Sequence, residues 1–119
     1  MIDIASFNNS HLQAIWGTNP RDPITMEWEN LDKAHILARG HGYQNRNKFS
    51  SVYNFYPLPR KIHAGGYRDH RYMRALLLEI TKEKVDWAIG NGRYEPIDSD
   101  AEFLEYVDTQ WFPKNFPNS

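Results

Sequence analysis

The sequence predicts an α+β domain, and three observations carry that class. Two short segments, 31–37 and 51–56, are rich in β-branched, aromatic and other apolar residues and read as strands. A polar, basic stretch containing Gly40 and Gly42 separates them. Beyond them, apolar residues recur at helical spacing up to Gly90-Asn91-Gly92, a helix stop. Strands followed by helices, rather than alternating with them, give the α+β order.

Residues 1–17 open with a short helix, with Ser6 or Asn8 as its cap and Phe7, Leu12 and Ile15 as its apolar side. Segment 24–29 alternates loosely, placing Ile24, Met26 and Trp28 on one side of a strand-like piece. In 31–37, Asp32, Ala34 and Ile36 share one strand face, and Lys33, His35 and Leu37 share the other, so His35 is expected to face a cleft. Residues 38–50 read as a loop. Pro57 and Pro59 lack the ladder donor and are expected to end the second strand. Residues 62–89 read as mostly helix, interrupted at Gly65-Gly66, with Tyr72, Leu76, Ile80 and Trp87 as core. Asp98-Ser99-Asp100 caps a last helix to about residue 110, whose apolar members are Phe103, Leu104, Tyr106 and Val107. Pro113 and Pro117 are expected to leave the final residues as a tail.

A chain of 119 residues makes one domain: an N-terminal brace (1–30), a core with a long helix (31–91), and an acidic C-terminal helix with its tail (92–119). Four Trp, seven Tyr and six Phe suit either a small core or stacking on bases. The absence of cysteine excludes disulfides, thiolate zinc sites and a cysteine nucleophile. No long apolar run and no leader-like start are present, so the expectation is a soluble, intracellular, cytoplasmic protein with no membrane partner. The net charge is −1, but the charges are segregated. Nine basic residues and one acidic residue lie between Lys33 and Arg74, whereas six acidic and no basic residues lie between Glu95 and Asp108. That pattern suits a polyanion-binding middle with a separate acidic face, and it equally describes two ordinary solvated faces.

Chemistry-bearing residues concentrate in 31–63. His35 sits in Ala34-His35-Ile36; Asn54 begins Asn54-Phe55-Tyr56-Pro57-Leu58-Pro59-Arg60-Lys61-Ile62-His63 and lies nine residues before His63. In strand–strand–helix context this segment resembles the HNH endonuclease family, whose ββα-metal core has the same order. The resemblance covers about a third of the chain, from Leu31 to Arg74, and rests on a degenerate motif. Asp32 to His35 also resembles the Asp-x-x-His variant of phage recombination nucleases in that superfamily. Pro59 and Ile62 stand where many members carry zinc-knuckle cysteines, and Trp16, Met26, Trp28 and Ile62 are offered as an apolar plug in place of the knuckle.

The resemblance implies a metal-dependent DNA endonuclease or nickase of cysteine-free, phage-type character, acting in the host cytoplasm if viral. His35 is then the general base and Asn54 the residue that orients it or pins the loop. His63 and Asp32 are the metal ligands, with Mg or Mn in first place and Zn or Ni as alternatives. Many members have a ligand immediately before the base, and here that residue is Ala34. A further ligand often follows the helix histidine by four residues, and here that residue is Tyr67, so Asp69 and His70 are the substitutes. Arg39, Arg46, Lys48, Arg60, Lys61, Arg68 and Arg71 are the phosphate-contact candidates. Two other readings compete: a nucleic-acid-binding domain without catalysis on the same scaffold, and a protein-interaction module using the acidic C-terminal helix.

Overall fold

The computed structural model describes residues 10–17, 20–27, 30–37, 46–64 and 70–117, with the side chains of Ser10, Arg46, Asn47 and Ala64 outside that description. Helix α1 (Ser10–Trp16) is followed by β1 (Leu31–His35), 3-10 turns at Arg46–Ser50 and Val52–Asn54, and β2 (Phe55–Pro59). Helix α2 (Arg60–Ala64) follows directly, then α3 (Arg71–Gly90), α4 (Asp98–Tyr106), a π-helical turn (Val107–Trp111) and α5 (Phe112–Asn115). The class is α+β, with one two-stranded antiparallel sheet among the described residues.

The second strand differs from expectation. Val52–Asn54 is a 3-10 turn, and the strand runs through both prolines to Pro59. The register explains why: Leu31 faces Pro59, Lys33 faces Pro57 and His35 faces Phe55. Flanking bonds from the Ile36 N–H to the Asn54 carbonyl and from the Arg60 N–H to the Asn30 carbonyl, both 2.8 Å, fix which pairs exchange hydrogen bonds. Pro57 and Pro59 fall at the non-hydrogen-bonded pairs, where a backbone N–H would point away from β1, so neither removes a ladder bond.

Segment 24–27 is not a strand. Asp22 gathers a tight turn: its carboxylate accepts from the Ile24 N–H (3.0 Å) and the Thr25 hydroxyl (2.7 Å), and its carbonyl accepts from the Met26 N–H (2.7 Å). Met26 is left-handed (φ 64°) and exposed, so it does not belong to the apolar plug, and Ile24 is exposed as well. Trp16 is buried and Ile62 partly so, while Trp28 lies outside the described residues.

On α3 the buried stripe is Leu77, Thr81, Val85 and Ala88, with Leu78 beside it. Tyr72, Leu76 and Trp87 are exposed, and Ile80 is only partly covered. The expected core face is therefore displaced around the helix, because Thr81 breaks the apolar pattern of the face that is buried. Helix α3 ends at Gly90 as expected, with Gly92 in the left-handed region (φ 71°).

The core joins Leu12, Ile15 and Trp16 of α1, both strands, Phe49, the inner face of α3, and Phe103, Val107 and Trp111. Asp100, buried in the first turn of α4, accepts from the Ile97 N–H (3.0 Å), from the Ser51 hydroxyl (2.6 Å) and from the Tyr94 hydroxyl. It caps its helix and ties it to the turn before β2. The chain does not trail off at Pro113. A proline cannot donate to the carbonyl one turn back and crowds it, and here the helix widens to a π turn just before it and continues as α5. No helix among the described residues is long and apolar enough to cross a membrane.

Candidate functional site

Asp32 and His63 meet. The β-register places Asp32 on the same strand face as Ala34, and α2 begins directly after β2, which returns His63 to that face. His63 Nδ1 lies 3.1 Å from Asp32 Oδ2, and Arg60 Nε donates to Asp32 Oδ1, also at 3.1 Å. Both side chains of the pair are about three-quarters buried, at 23% and 25% exposure. Partial burial pushes the Asp32 carboxyl up. The hydrogen bonds from His63 and Arg60, with the Arg60 and His63 charges, together outweigh it and hold the carboxyl below its ordinary value.

His35 occupies the opposite strand face with Lys33. Its ring lies 4.4 Å from that of Phe55, its cross-strand neighbour, and Lys33 Nζ sits 5.3 Å over the same ring. Such contacts orient the imidazole at the strand end. Leu37, two residues further on, is held by Asn54, which is fully buried. Its amide donates to the Leu37 carbonyl (3.1 Å) and the Phe49 carbonyl (2.8 Å), and its oxygen accepts from the Leu37 N–H (2.8 Å). Asn54 is thus a positioning residue for the β1 end, and its amide groups are occupied by backbone.

Of the remaining candidates, His70 is the exposed residue preceding α3 and makes no side-chain cap bond, and Asp69 lies outside the described residues. Among the described residues, no three His, Asp or Glu side chains form a metal-binding group. The basic set is dispersed. Arg60 is committed to Asp32, and Lys61 pairs with Glu27 at 3.5 Å. Lys48 lies over Tyr106 against the acidic α4, and Arg71 lies over Tyr72 and Phe116. Arg39 and Arg68 lie outside the described residues, as does the side chain of Arg46. Sequence reasoning did not single out Asp22, which is buried and also accepts from the Tyr56 hydroxyl at 2.5 Å. The Asp22-Pro23-Ile24-Thr25 order was its signal, since Asp bonds the backbone two residues ahead in such turns.

Asp32 and His63 bring together a carboxylate and an imidazole, two of the donor types that divalent ions take. Carboxylate and imidazole together suit Mn, and Mg holds few protein ligands and keeps its waters. Arg60 on Oδ1 would act as the outer partner that orients the carboxylate. No protein-family profile matches this chain, and neither a curated protein nor a solved structure matches it.

Proposed function

We propose that this protein is a metal-dependent DNA endonuclease or nickase with an HNH-like centre. The observation that supports the reading is the meeting of Asp32 and His63, brought together from β1 and α2; the role of His35 rests on the resemblance alone, since its side chain lies on the other strand face. Asp32 and His63 hold the ion, and Arg60 fixes the carboxylate. A bound Mg or Mn ion supplies Lewis-acid charge at the phosphate and at the leaving 3′ oxygen. His35 takes a proton from the attacking water as the new P–O bond forms, and the 3′ oxygen leaves and is protonated from solvent. The products are a 5′-phosphate and a 3′-hydroxyl. Asn54 keeps Leu37, two residues after His35, in place, and Lys61 at the start of α2 offers a phosphate contact once released from Glu27.

The test is supercoiled-plasmid nicking with Mg, Mn or EDTA, using the wild type, His35→Ala and the Asp32→Ala/His63→Ala double variant. Metal-dependent nicking lost in all variants is the expected result. Intact plasmid with every metal overturns the reading, and DNA binding without cleavage assigns the scaffold to binding alone. Nicking retained by His35→Ala removes His35 from the mechanism.

A further inference from the structure

The displaced face of α3 is not simply wasted. Tyr72, Ala75, Leu76 and Glu79 form one wall of a groove of about 540 Å³, and Leu104, Asp108 and Phe112 form the other. Its floor is the buried edge of the core at Tyr53, Leu78, Phe103 and Val107. Three large apolar side chains stand exposed on its walls: Tyr72 at 68%, Leu76 at 44% and Phe112 at 38%. Such convergence of apolar side chains on a surface marks a binding face.

Shape and charge choose the occupant. The α3 wall from Tyr72 to Lys82 follows the i, i+3, i+4, i+7 row, and ten rises of ~1.5 Å make it about 15 Å long. The facing wall, from Leu104 to Phe112, is about 12 Å long by the same rise, and together they leave a trough for about two turns of a third helix. The rim is acidic. Glu79 stands on one wall and Asp108 on the other, and neither is in an ion pair among the described residues. The rim cation, Lys82, is held by Asp86 at 2.8 Å and also lies in the field of Asp108, so the rim carries two acids and one shared cation.

We propose that this groove docks an amphipathic helix of a partner protein, one with an apolar stripe flanked by lysine or arginine. The apolar stripe covers Leu76, Tyr72 and Phe112, and the flanking cations meet Glu79 and Asp108. This surface is separate from the Asp32–His63 pair and does not depend on the nuclease reading.

The test uses two synthetic 18-residue helices with the same leucine stripe, one with lysine and one with glutamate at the polar positions. Each is titrated into the protein by calorimetry, with amide chemical shifts to map the contact. The lysine peptide is expected to bind saturably, with shifts along α3 from residue 72 to 79 and at 104–112. Leu76→Glu, at an exposed position, weakens it at least tenfold while thermal melting shows an intact fold. The Glu79→Lys/Asp108→Lys double variant reverses the preference toward the glutamate peptide. Equal binding of both peptides, binding of neither, or shifts confined to other surfaces overturns the proposal. So does self-association of the protein through the same residues, which would make a second copy the occupant.

Discussion

Asn54 and Leu37 close a reciprocal ring: the Asn54 amide donates to the Leu37 carbonyl while its oxygen accepts from the Leu37 N–H. The second amide hydrogen satisfies the Phe49 carbonyl. One side chain thus stands in for the ladder where β1 ends, holding the chain just after His35. Asn54→Leu would strand three buried backbone groups, each costing roughly 1–3 kcal/mol. Asn54→Asp keeps the acceptor but sets a carboxylate against two carbonyls, so it is expected to be no better tolerated. Urea unfolding should show both variants destabilised by about 3 kcal/mol or more. A loss under ~1 kcal/mol in Asn54→Leu would remove this structural role.

Three tyrosines donate to carboxylates: Tyr56 to Asp22, Tyr53 to Asp86 and Tyr94 to Asp100. Burial first, then the bond and charge of each carboxylate, push all three phenols well above their ordinary value, and burial raises Tyr106 as well. A folded value above the unfolded one gives stability that is complete below the unfolded pKa, about 10, and is lost as pH rises through the folded value. Absorbance titration at alkaline pH should therefore show these four ionising only with unfolding. Tyr56→Phe, which leaves Asp22 one donor short in a buried place, should cost about 1–3 kcal/mol at neutral pH. A smooth titration of all the tyrosines near pH 10 while the fold persists would contradict this.

Much of this arrangement was legible in the sequence, for identifiable reasons. Gly90-Asn91-Gly92 and Asp98-Ser99-Asp100 are local signals, and each delivers its stop or cap. Asp32 and Ala34 share a face because strand side chains alternate, which needs no tertiary information. The α3 face was misplaced because Tyr72, Leu76 and Trp87 look like core by residue type, whereas burial follows what α3 packs against, Thr81 included. Met26 failed for the same reason in reverse: the Asp22 turn sets its backbone and turns an apolar side chain outward. Proline was read as a stop in β2 because its effect depends on register, which a single segment does not reveal.

That register makes its own prediction. Pro57 faces Lys33 at a non-hydrogen-bonded pair, and Leu58 faces Asp32 at a hydrogen-bonded one. Pro57→Ala loses no ladder bond, but it removes part of a buried ring and frees the unfolded chain, so it should cost roughly 1–3 kcal/mol and leave the protein folded. Leu58→Pro removes a ladder donor and a fully buried side chain, and it should leave the protein largely unfolded by circular dichroism. Equal effects of the two substitutions would mean that the hairpin register is different.

The Asp32–His63 contact, 3.1 Å between Oδ2 and Nδ1, couples stability to pH and, on the proposed function, to metal. Since the folded Asp32 pKa is lowered, its contribution is present above the unfolded carboxylate value, ~3.9, and is lost as pH falls through the folded value. The stability difference between wild type and Asp32→Asn should therefore hold from neutral pH down to about pH 5 and shrink below about pH 4. Metal acts in the other direction. An ion that binds only the folded pair adds about 2.7 kcal/mol when present at a hundred times its Kd. Mn should raise the melting temperature of the wild type at pH 7.5. Asp32→Asn and His63→Ala should each abolish that shift, whereas Lys33→Ala, on the opposite strand face, should keep it. A Mn-induced shift of equal size in all four proteins would place the ion elsewhere and withdraw Asp32 and His63 as its ligands.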